Sequence, residues 1–218
     1  MPHSHQNAWR KIPAIILCHF WFKCLGTTLF IAVFFAVYIY LLRHPAFPVT
    51  EIPASRLDDF ISVQPLALPI YLSLWFYLSL PPMLMTTRAA IVEYGFWIGS
   101  LCLAALAIFY FWPTAVPDAA VDWSRYPGMA FLKGMDAAGN ACPSLHVATA
   151  VFSGLWLDRD LLRLGLGRAA RYANVIWCLA IIYSTLATKQ HMAVDAVAGI
   201  ILSFAFFFAF RRVKERKA

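Results

Sequence analysis

The sequence predicts an all-α fold, a polytopic membrane bundle of six transmembrane helices. Of its 218 residues, 61% are hydrophobic and only 13% are charged, which is too apolar a composition for a soluble domain of this length. Long apolar segments recur along the whole chain, and prolines, arginines and acidic residues cluster between them. A chain of this length is expected to form one membrane domain.

Hydrophobicity alone places the helices. The predicted spans cover residues 24–42, 66–85, 91–112, 143–157, 172–188 and 191–210. Residues 1–23 are expected to form a solvated cytoplasmic tail followed by an amphipathic interfacial segment. Residues 24–210 would form the six-helix domain, and residues 211–218 a basic cytoplasmic tail.

The formal net charge of +7 comes from lysines and arginines that lie in short runs beside the apolar segments. This arrangement fits anionic lipid headgroups, so no nucleic-acid partner is expected. With six spans, 13 of the 18 basic residues fall on the side that holds both termini. The positive-inside rule therefore predicts cytoplasmic termini. His146 and His191 then lie at the outer face of the membrane.

The cysteines indicate neither a disulfide framework nor a zinc site, because no two of them form a Cys-x-x-Cys pair. No group of carboxylates, cysteines and histidines has the spacing of a metal site, and we expect no metal and no cofactor. Cys142 is the only cysteine near the candidate site. Two roles stay open for it, a small buried hydrophobe and a reactive thiol.

His146 and His191 each open an apolar segment, and Asp195 lies four residues after His191. Four residues make about one helical turn, so Asp195 and His191 share a helix face. The carboxylate can fix the tautomer of His191 and leave its other ring nitrogen as a nucleophile or base. His146 would then protonate a leaving oxygen as general acid. For a single histidine taken alone, the simpler interpretation is a satisfied interfacial side chain.

The start of the fourth span is a candidate anion site. Backbone N–H groups near Ser144 and Leu145, together with the helix dipole, favour an anion, and phosphate is the obvious one. Ser144 either donates a further hydrogen bond to that anion or caps the helix. Lys189 either neutralises a phosphate oxygen or extends toward the membrane interface.

These residues resemble two motifs of the type 2 phosphatidic acid phosphatase superfamily. Residues 143–146, Pro-Ser-Leu-His, are similar to the second motif, Pro-Ser-Gly-His, with leucine in place of glycine. The segment from Ser184 to Asp195 is similar to the third motif, in which Ser-Arg precedes a histidine and an aspartate. Ser184, His191 and Asp195 keep the spacing of that motif, and Thr185 stands in place of its arginine.

The resemblance implies a six-helix membrane enzyme that transfers phosphoryl groups, without a metal, at an outward-facing site. It implies that His191 is the phosphate-accepting nucleophile, that Asp195 orients it, and that His146 protonates the leaving group. The leucine variant resembles inositol phosphorylceramide synthases and related bacterial membrane phosphatases, so a bacterial inner membrane is the expected location. The expected partners are a lipid phosphate substrate and membrane lipids. The sequence makes no prediction of oligomeric state.

The first motif of the family, a lysine followed six residues later by Arg-Pro, has no counterpart, because the chain contains no Arg-Pro dipeptide. Arg125 or Lys133, in the loop before the fourth span, would supply the missing positive charge, and the sequence leaves that choice open. By the same resemblance Ser184 joins Ser144 and Lys189 as an expected phosphate-binding residue.

The leading interpretation is a lipid phosphatase that hydrolyses a phosphate monoester or diphosphate through a phosphohistidine. An alcohol acceptor in place of water would make the protein a lipid phosphotransferase, similar to inositol phosphorylceramide synthase. A non-catalytic protein that binds or transports lipid phosphates is a second alternative, and a proton-coupled transporter is a third. The transporter is disfavoured because the centres of the last three spans hold no ionisable residue.

Overall fold

The computed structural model describes residues 3–119, 121–130 and 139–216, and these ranges are mostly helical. The helices are α1 (His3–Leu17), α2 (Phe20–Arg43), α3 (Arg56–Phe60), α4 (Leu68–Leu72), α5 (Leu74–Leu84), α6 (Arg88–Phe111), α7 (Leu145–Arg163), α8 (Arg168–Ala187) and α9 (Ala193–Glu215). Short 3₁₀ turns cover Pro65–Ala67 and Trp123–Arg125. The predicted all-α membrane bundle is confirmed.

Helix α7 lies at the centre of the bundle. Of its 19 residues, 13 are buried, and α5, α6, α8 and α9 pack around it. Phe152 and Trp156 of α7 form one apolar cluster with Phe109 of α6 and Phe210 of α9. The Trp156 and Phe210 rings stack with their centroids 4.4 Å apart. The core therefore surrounds the helix that begins next to His146.

In the described ranges, five helical segments are long and apolar enough to cross a membrane: Phe20–Arg43, Pro65–Leu84, Arg88–Phe111, Arg168–Ala187 and Ala193–Glu215. The predicted span that is missing from these five is the fourth, residues 143–157. It corresponds to α7, which carries Asp158, Arg159, Asp160 and Arg163 in its last turns. A helix enclosed by other helices does not need an apolar surface toward lipid. The crossing of the membrane by α7 thus stays a prediction.

The outer surface of the bundle is apolar. Large hydrophobic side chains on α2, α6, α8 and α9 are exposed, among them Leu29, Val33, Phe96, Leu103, Ile176, Leu179, Ile201 and Phe208. An apolar surface of this extent is stable against lipid chains and would aggregate in water. The chain is therefore an integral membrane protein.

The backbone of the N-terminal segment is helical from His3 to Leu17, and the expected cytoplasmic and interfacial position of this segment stays a prediction. A left-handed residue, His19 with φ of 54°, separates α1 from α2. The ammonium group of the buried Lys23 donates to the carbonyl oxygens of Ile15 at 2.7 Å and Met83 at 2.9 Å. These carbonyls belong to the ends of α1 and α5, where C=O groups lack helical partners and carry partial negative charge. Lys23 therefore fastens α1 to the bundle.

Helix α9 approaches the start of α7 very closely at Gly199. A Cβ atom at this position would lie 2.5 Å from the carbonyl oxygen of Ser144 and 3.2 Å from the amide nitrogen of Ala148. Only glycine allows this contact. It brings the backbone N–H of Ser144 within 2.9 Å of the carbonyl oxygen of Asp195, and so joins the two segments that carry the candidate catalytic residues.

Candidate active site

A short parallel β pairing and the hydrogen bonds of Thr114 hold the segment that precedes His146. Strand β1 (Thr50–Glu51) pairs in parallel with β2 (Thr114–Ala115). The fully buried Thr114 binds the chain ahead of α7 three times: its N–H donates to Gly139, its carbonyl accepts from Ala141, and its hydroxyl accepts from the N–H of Cys142 at 2.7 Å. Loops distant in sequence thus hold the start of α7 in place.

Helix α7 begins at Leu145, so Ser144 is its N-cap rather than part of its first turn. The Ser144 hydroxyl accepts a hydrogen bond from the N–H of Val147 at 3.3 Å, and the side chain is fully buried. The capping role left open by the sequence is the one that the contacts support. His146 follows in the first turn of the helix.

The turn between α8 and α9 positions His191. Lys189 adopts a left-handed conformation with φ of 53°, which reverses the chain. The carbonyl oxygen of Thr185 then accepts hydrogen bonds from the N–H groups of Gln190 at 3.1 Å and His191 at 3.2 Å. His191 is 7% exposed and Asp195 is fully buried. The backbone of His191 is therefore fixed by a hydrogen bond, in addition to the contacts of its ring.

The rings of His146 and His191 meet in a hydrogen-bonded chain that ends on Asp195. His191 Nδ1 lies 2.7 Å from Oδ2 of Asp195. On its other side, His191 Nε2 lies 3.2 Å from Nδ1 of His146. The structure therefore brings together the three residues whose spacing predicted a catalytic group.

The chemistry of these partners fixes the direction of each hydrogen bond. An ionised carboxylate only accepts, so Nδ1–H of His191 donates to Asp195. In neutral His191, Nε2 then carries the lone pair, and Nδ1–H of His146 donates to it. The other oxygen of Asp195, Oδ1, is buried and has no hydrogen-bond partner in the described part of the chain. The carboxylate charge is thus directed at His191, where it stabilises positive charge on the imidazole.

Tyr71 extends the series of hydrogen bonds beyond His146, and the sequence analysis did not predict this role. Its hydroxyl lies 2.7 Å from Nε2 of His146, and the two rings are tilted with centroids 4.8 Å apart. Trp75, one turn further along, presents its indole to the same imidazole with ring centroids 6.3 Å apart. No sequence signal distinguishes Tyr71 from the other aromatic residues of this apolar segment, because its role depends on a contact between distant helices.

A partly open cavity of about 90 Å³ adjoins both histidines. Side chains from α2, α5, α6 and α7 line it: Phe30, Ile31, Phe34, Phe35, Tyr38, Leu74, Trp75, Leu78, Ile98, Cys102, Leu145 and Thr149, with Asn140, His146 and His191. The lining is mainly aliphatic and aromatic. Its hydrogen-bonding side chains include Asn140, Thr149 and the two histidines, and no lysine or arginine of the described ranges belongs to it. The cavity thus offers an apolar chamber with polar groups beside the histidines.

Asp58 ties the first loop to the turn that carries His191. Its carboxylate Oδ1 accepts from the N–H of Ala193 at 2.8 Å, and its backbone oxygen accepts from the ammonium of Lys189 at 2.6 Å. Burial acts to raise the pKa of Asp58, but hydrogen bonds from Ser55 and Ala193 and the charge of Lys189 outweigh it and hold the pKa below its ordinary value. Both ends of the five-residue segment 189–193 are therefore anchored to one aspartate.

The other predicted phosphate-binding residues lie elsewhere or have other partners. The hydroxyl of Ser184 is buried and donates to the carbonyl oxygen of Ile181 at 2.7 Å. The ammonium of Lys189 is bound to Asp58, as above. Arg125 is exposed and pairs with Asp122 at 3.1 Å, and Lys133 lies outside the described residues. The described contacts do not bring these residues to the histidines, and their phosphate-binding role stays a prediction.

Thr185, which stands where the resembling motif has arginine, is fully buried, and its hydroxyl donates to the carbonyl oxygen of Ile182. It is thus a structural residue of α8. Cys142 is buried beside Ile52, Ala141 and Met192, as a small hydrophobe would be. In the described ranges no group of three or more histidine, cysteine, aspartate or glutamate side chains is placed to hold a metal ion.

Fold and site together define a class: a helical membrane protein with two histidines and a carboxylate hydrogen-bonded beside an apolar cavity. The model of a family described as the PAP2 superfamily matches residues 62–209. The chain belongs to the PAP2 superfamily, the type 2 phosphatidic acid phosphatases that its motifs resemble, and the superfamily supports a phosphatase or phosphotransferase type of activity. The match begins before Tyr71 and includes both histidines. No curated protein and no solved structure matches the chain.

Proposed function

We propose that this protein hydrolyses a lipid phosphate monoester or diphosphate through a phosphohistidine formed on His191. The single observation that carries the proposal is the series of hydrogen bonds from Asp195 through His191 to His146, two of whose members line an apolar cavity. An imidazole whose Nδ1–H is held by a buried carboxylate has its Nε2 lone pair available for attack.

The cavity supports a lipid substrate. Its aliphatic and aromatic lining suits a hydrocarbon chain, and its polar groups lie beside the histidines. A lipid that enters from the bilayer would place its tail among the side chains of α2, α5 and α6. Its phosphate would then lie at Nε2 of His191.

The first half of the proposed reaction forms a bond between Nε2 of His191 and phosphorus and breaks the bond from phosphorus to the lipid oxygen. His146 enters this step protonated on both ring nitrogens, as an imidazolium. Its Nδ1 proton passes to that leaving oxygen and leaves His146 neutral, so the lipid departs as an alcohol or, from a diphosphate, as a monophosphate. Asp195 stabilises the positive charge that His191 gains. In the second half water attacks phosphorus, His146 takes its proton, and phosphate leaves with His191 regenerated.

The distance between the histidines has a mechanistic consequence. With 3.2 Å between Nδ1 of His146 and Nε2 of His191, a phosphoryl group does not fit between the two nitrogens. An in-line displacement needs the nucleophile and the leaving oxygen on opposite sides of phosphorus. Substrate entry therefore breaks the contact between the histidines and moves the two rings apart.

The test is phosphate release by the purified protein in detergent from a panel of lipid phosphates and diphosphates, in excess chelator. We expect at least one lipid to be hydrolysed, His191→Ala to be inactive, and vanadate, which mimics the five-coordinate phosphoryl group, to inhibit. Acid-labile label on the protein from a phosphorus-labelled substrate would identify the phosphohistidine. Activity that requires a divalent ion, or His191→Ala protein that still becomes labelled, would contradict the mechanism.

An added alcohol distinguishes hydrolysis from transfer in the same assay. If a diacylglycerol or ceramide in the micelle receives the phosphoryl group faster than water does, the protein is a phosphotransferase. If lipid phosphates bind but none reacts, the non-catalytic alternative holds.

A further inference from the structure

We infer that Tyr71 is a positioning residue for the general acid: its hydroxyl holds the imidazole of His146 so that Nδ1, and not Nε2, faces the phosphate. The inference rests on the proposed function for its catalytic consequence, but its structural basis is independent of it. That basis is the 2.7 Å contact between the Tyr71 hydroxyl and Nε2 of His146. Tyr71 is 4% exposed, and its contact with His146 is partly buried.

A positioning residue is needed because His146 loses its other ring contact when substrate enters. Before entry, Nδ1–H of His146 donates to His191, and the imidazole is held from both sides. A phosphoryl group at His191 removes the Nδ1 contact. The hydrogen bond between the Tyr71 hydroxyl and Nε2 of His146 then remains. Together with the packing of the Tyr71 and Trp75 rings, it orients the imidazole.

A hydroxyl suits this task because it both donates and accepts. When His146 is neutral with Nδ1–H, the Tyr71 hydroxyl donates to the Nε2 lone pair. When His146 is an imidazolium, its Nε2–H donates to the Tyr71 oxygen. After Nδ1 has given its proton to the leaving oxygen, Nε2 keeps its hydrogen and its bond to Tyr71. The Nδ1 lone pair then faces the water of the second half-reaction, and the ring has not turned.

Tyr71→Phe tests the inference, because it removes the hydroxyl and keeps the ring. We expect kcat on a lipid phosphate to fall by up to about 10²-fold, the scale on which misplacement of a catalytic group acts. The loss should be much smaller on a nitrophenyl ester, whose leaving oxygen hardly needs a proton. In the His146→Ala background Tyr71→Phe should have no further effect, since Tyr71 acts only through His146.

Tyr77→Phe is the matched control. Tyr77 is also buried, and its hydroxyl donates to Asn174 at 2.6 Å, away from the histidines. Its loss should affect thermal stability and leave the dependence on the leaving group unchanged. Equal losses on both esters for Tyr71→Phe, or an additional loss in the His146→Ala background, would show that Tyr71 only supports the fold.

A tautomer measurement separates this inference from the proposed function. His191→Ala removes one of the two partners of the His146 ring nitrogens and leaves Tyr71 as the other. In this variant, labelled with ¹⁵N-histidine, the Nδ1–H tautomer of neutral His146 therefore depends on Tyr71. We expect this tautomer to dominate there and to become mixed with the Nε2–H form when Tyr71→Phe is added. An unchanged tautomer ratio overturns the role of Tyr71. Absence of turnover by the wild-type protein overturns only the proposed function, because the tautomer measurement needs no substrate.

Discussion

Asp195 makes two separate contacts in the site, and a substitution can remove one of them alone. Its backbone oxygen accepts from the N–H of Ser144 and joins α9 to the start of α7. Its carboxylate holds Nδ1–H of His191 at 2.7 Å. An amide side chain would keep the backbone contact and the volume, but would lose the negative charge.

We therefore expect Asp195→Asn to fold normally and to lower kcat strongly, on the order of 10⁴-fold if the carboxylate acts as in other carboxylate–histidine pairs. The asparagine side chain can present its NH₂ group to His191, impose the other tautomer, and place a hydrogen on the attacking nitrogen. Phosphate release and the thermal unfolding of the purified variant measure the two effects. A variant with normal turnover would remove Asp195 from the reaction.

Local spacing predicted part of the site, and long-range packing supplied the rest. His191 and Asp195 were recognisable because an interval of four residues suggests one helical turn. In the structure only Asp195 belongs to α9, and His191 lies in the turn that precedes this helix. Tyr71 and Asp58 were not recognisable, because their contacts with His146 and Ala193 span 75 and 135 residues of sequence. Lys189, two residues before His191, has a partner that the sequence did not indicate, because its ammonium donates to the Asp58 carbonyl. Its phosphate-binding role stays a prediction.

At the scale of elements, the short helix α3 acts as a brace for the turn between α8 and α9. Asp58 closes a capping box at the start of α3, where Oδ2 accepts from the N–H and the hydroxyl of Ser55. The same carboxylate binds the first N–H of α9 through Oδ1. One buried side chain thus joins two helix N-termini, where negative charge is favourable.

Asp58→Asn should loosen the turn that carries His191. An amide cannot accept at both ends, so a buried N–H or hydroxyl loses its partner, at a cost of about 1–3 kcal/mol. We expect a lower Tm and a reduced kcat, with fluorescence or light scattering following unfolding. Asp59→Asn is the matched control, because it removes the same charge from an exposed position of the same helix.

The pH dependence of this effect has a definite sign. The pKa of Asp58 in the folded protein lies below its ordinary value of 3.8, so its carboxylate stabilises the fold fully above that value. The contribution is lost as the pH falls through the lower folded pKa. The difference in Tm between wild type and Asp58→Asn should therefore be constant near neutral pH and shrink below about pH 4. A difference that grows in acid would contradict the assigned role.

Helix α7 also explains why only five of the six predicted spans are long and apolar enough to cross a membrane in the described ranges. Its C-terminal turns carry charged side chains that the bundle accommodates. Arg159 lies over the Trp156 ring at 4.2 Å and the Phe210 ring at 4.8 Å, and it contacts Asp160 at 3.5 Å. Hydropathy measures a preference for lipid, whereas α7 contacts mainly protein. Its apolar first half was visible in the sequence, and its continuation to Arg163 was not.

At the scale of the whole molecule, α7 relates the site to the membrane. His146 and Arg163 are 17 positions apart on one helix, which corresponds to roughly 26 Å at a rise of about 1.5 Å per residue. The hydrocarbon core of a bilayer is about 30 Å thick. The histidines and the arginine-rich end of α7 are thus far enough apart to lie at opposite faces. With 13 of the 18 basic residues expected on the side of Arg163, the positive-inside rule predicts that this side is cytoplasmic.

This orientation is tested by cysteine labelling in a variant whose five native cysteines are replaced. Lys133→Cys, in the part of the sequence that precedes α7, should react with an impermeant thiol reagent in intact cells. Arg163→Cys, at the opposite end of α7, should react only after lysis, which makes it the matched control for expression and reactivity. The reversed pattern would place the histidines on the cytoplasmic side. Labelling of both variants in intact cells would mean that α7 does not cross the membrane, because its two ends would then share one face.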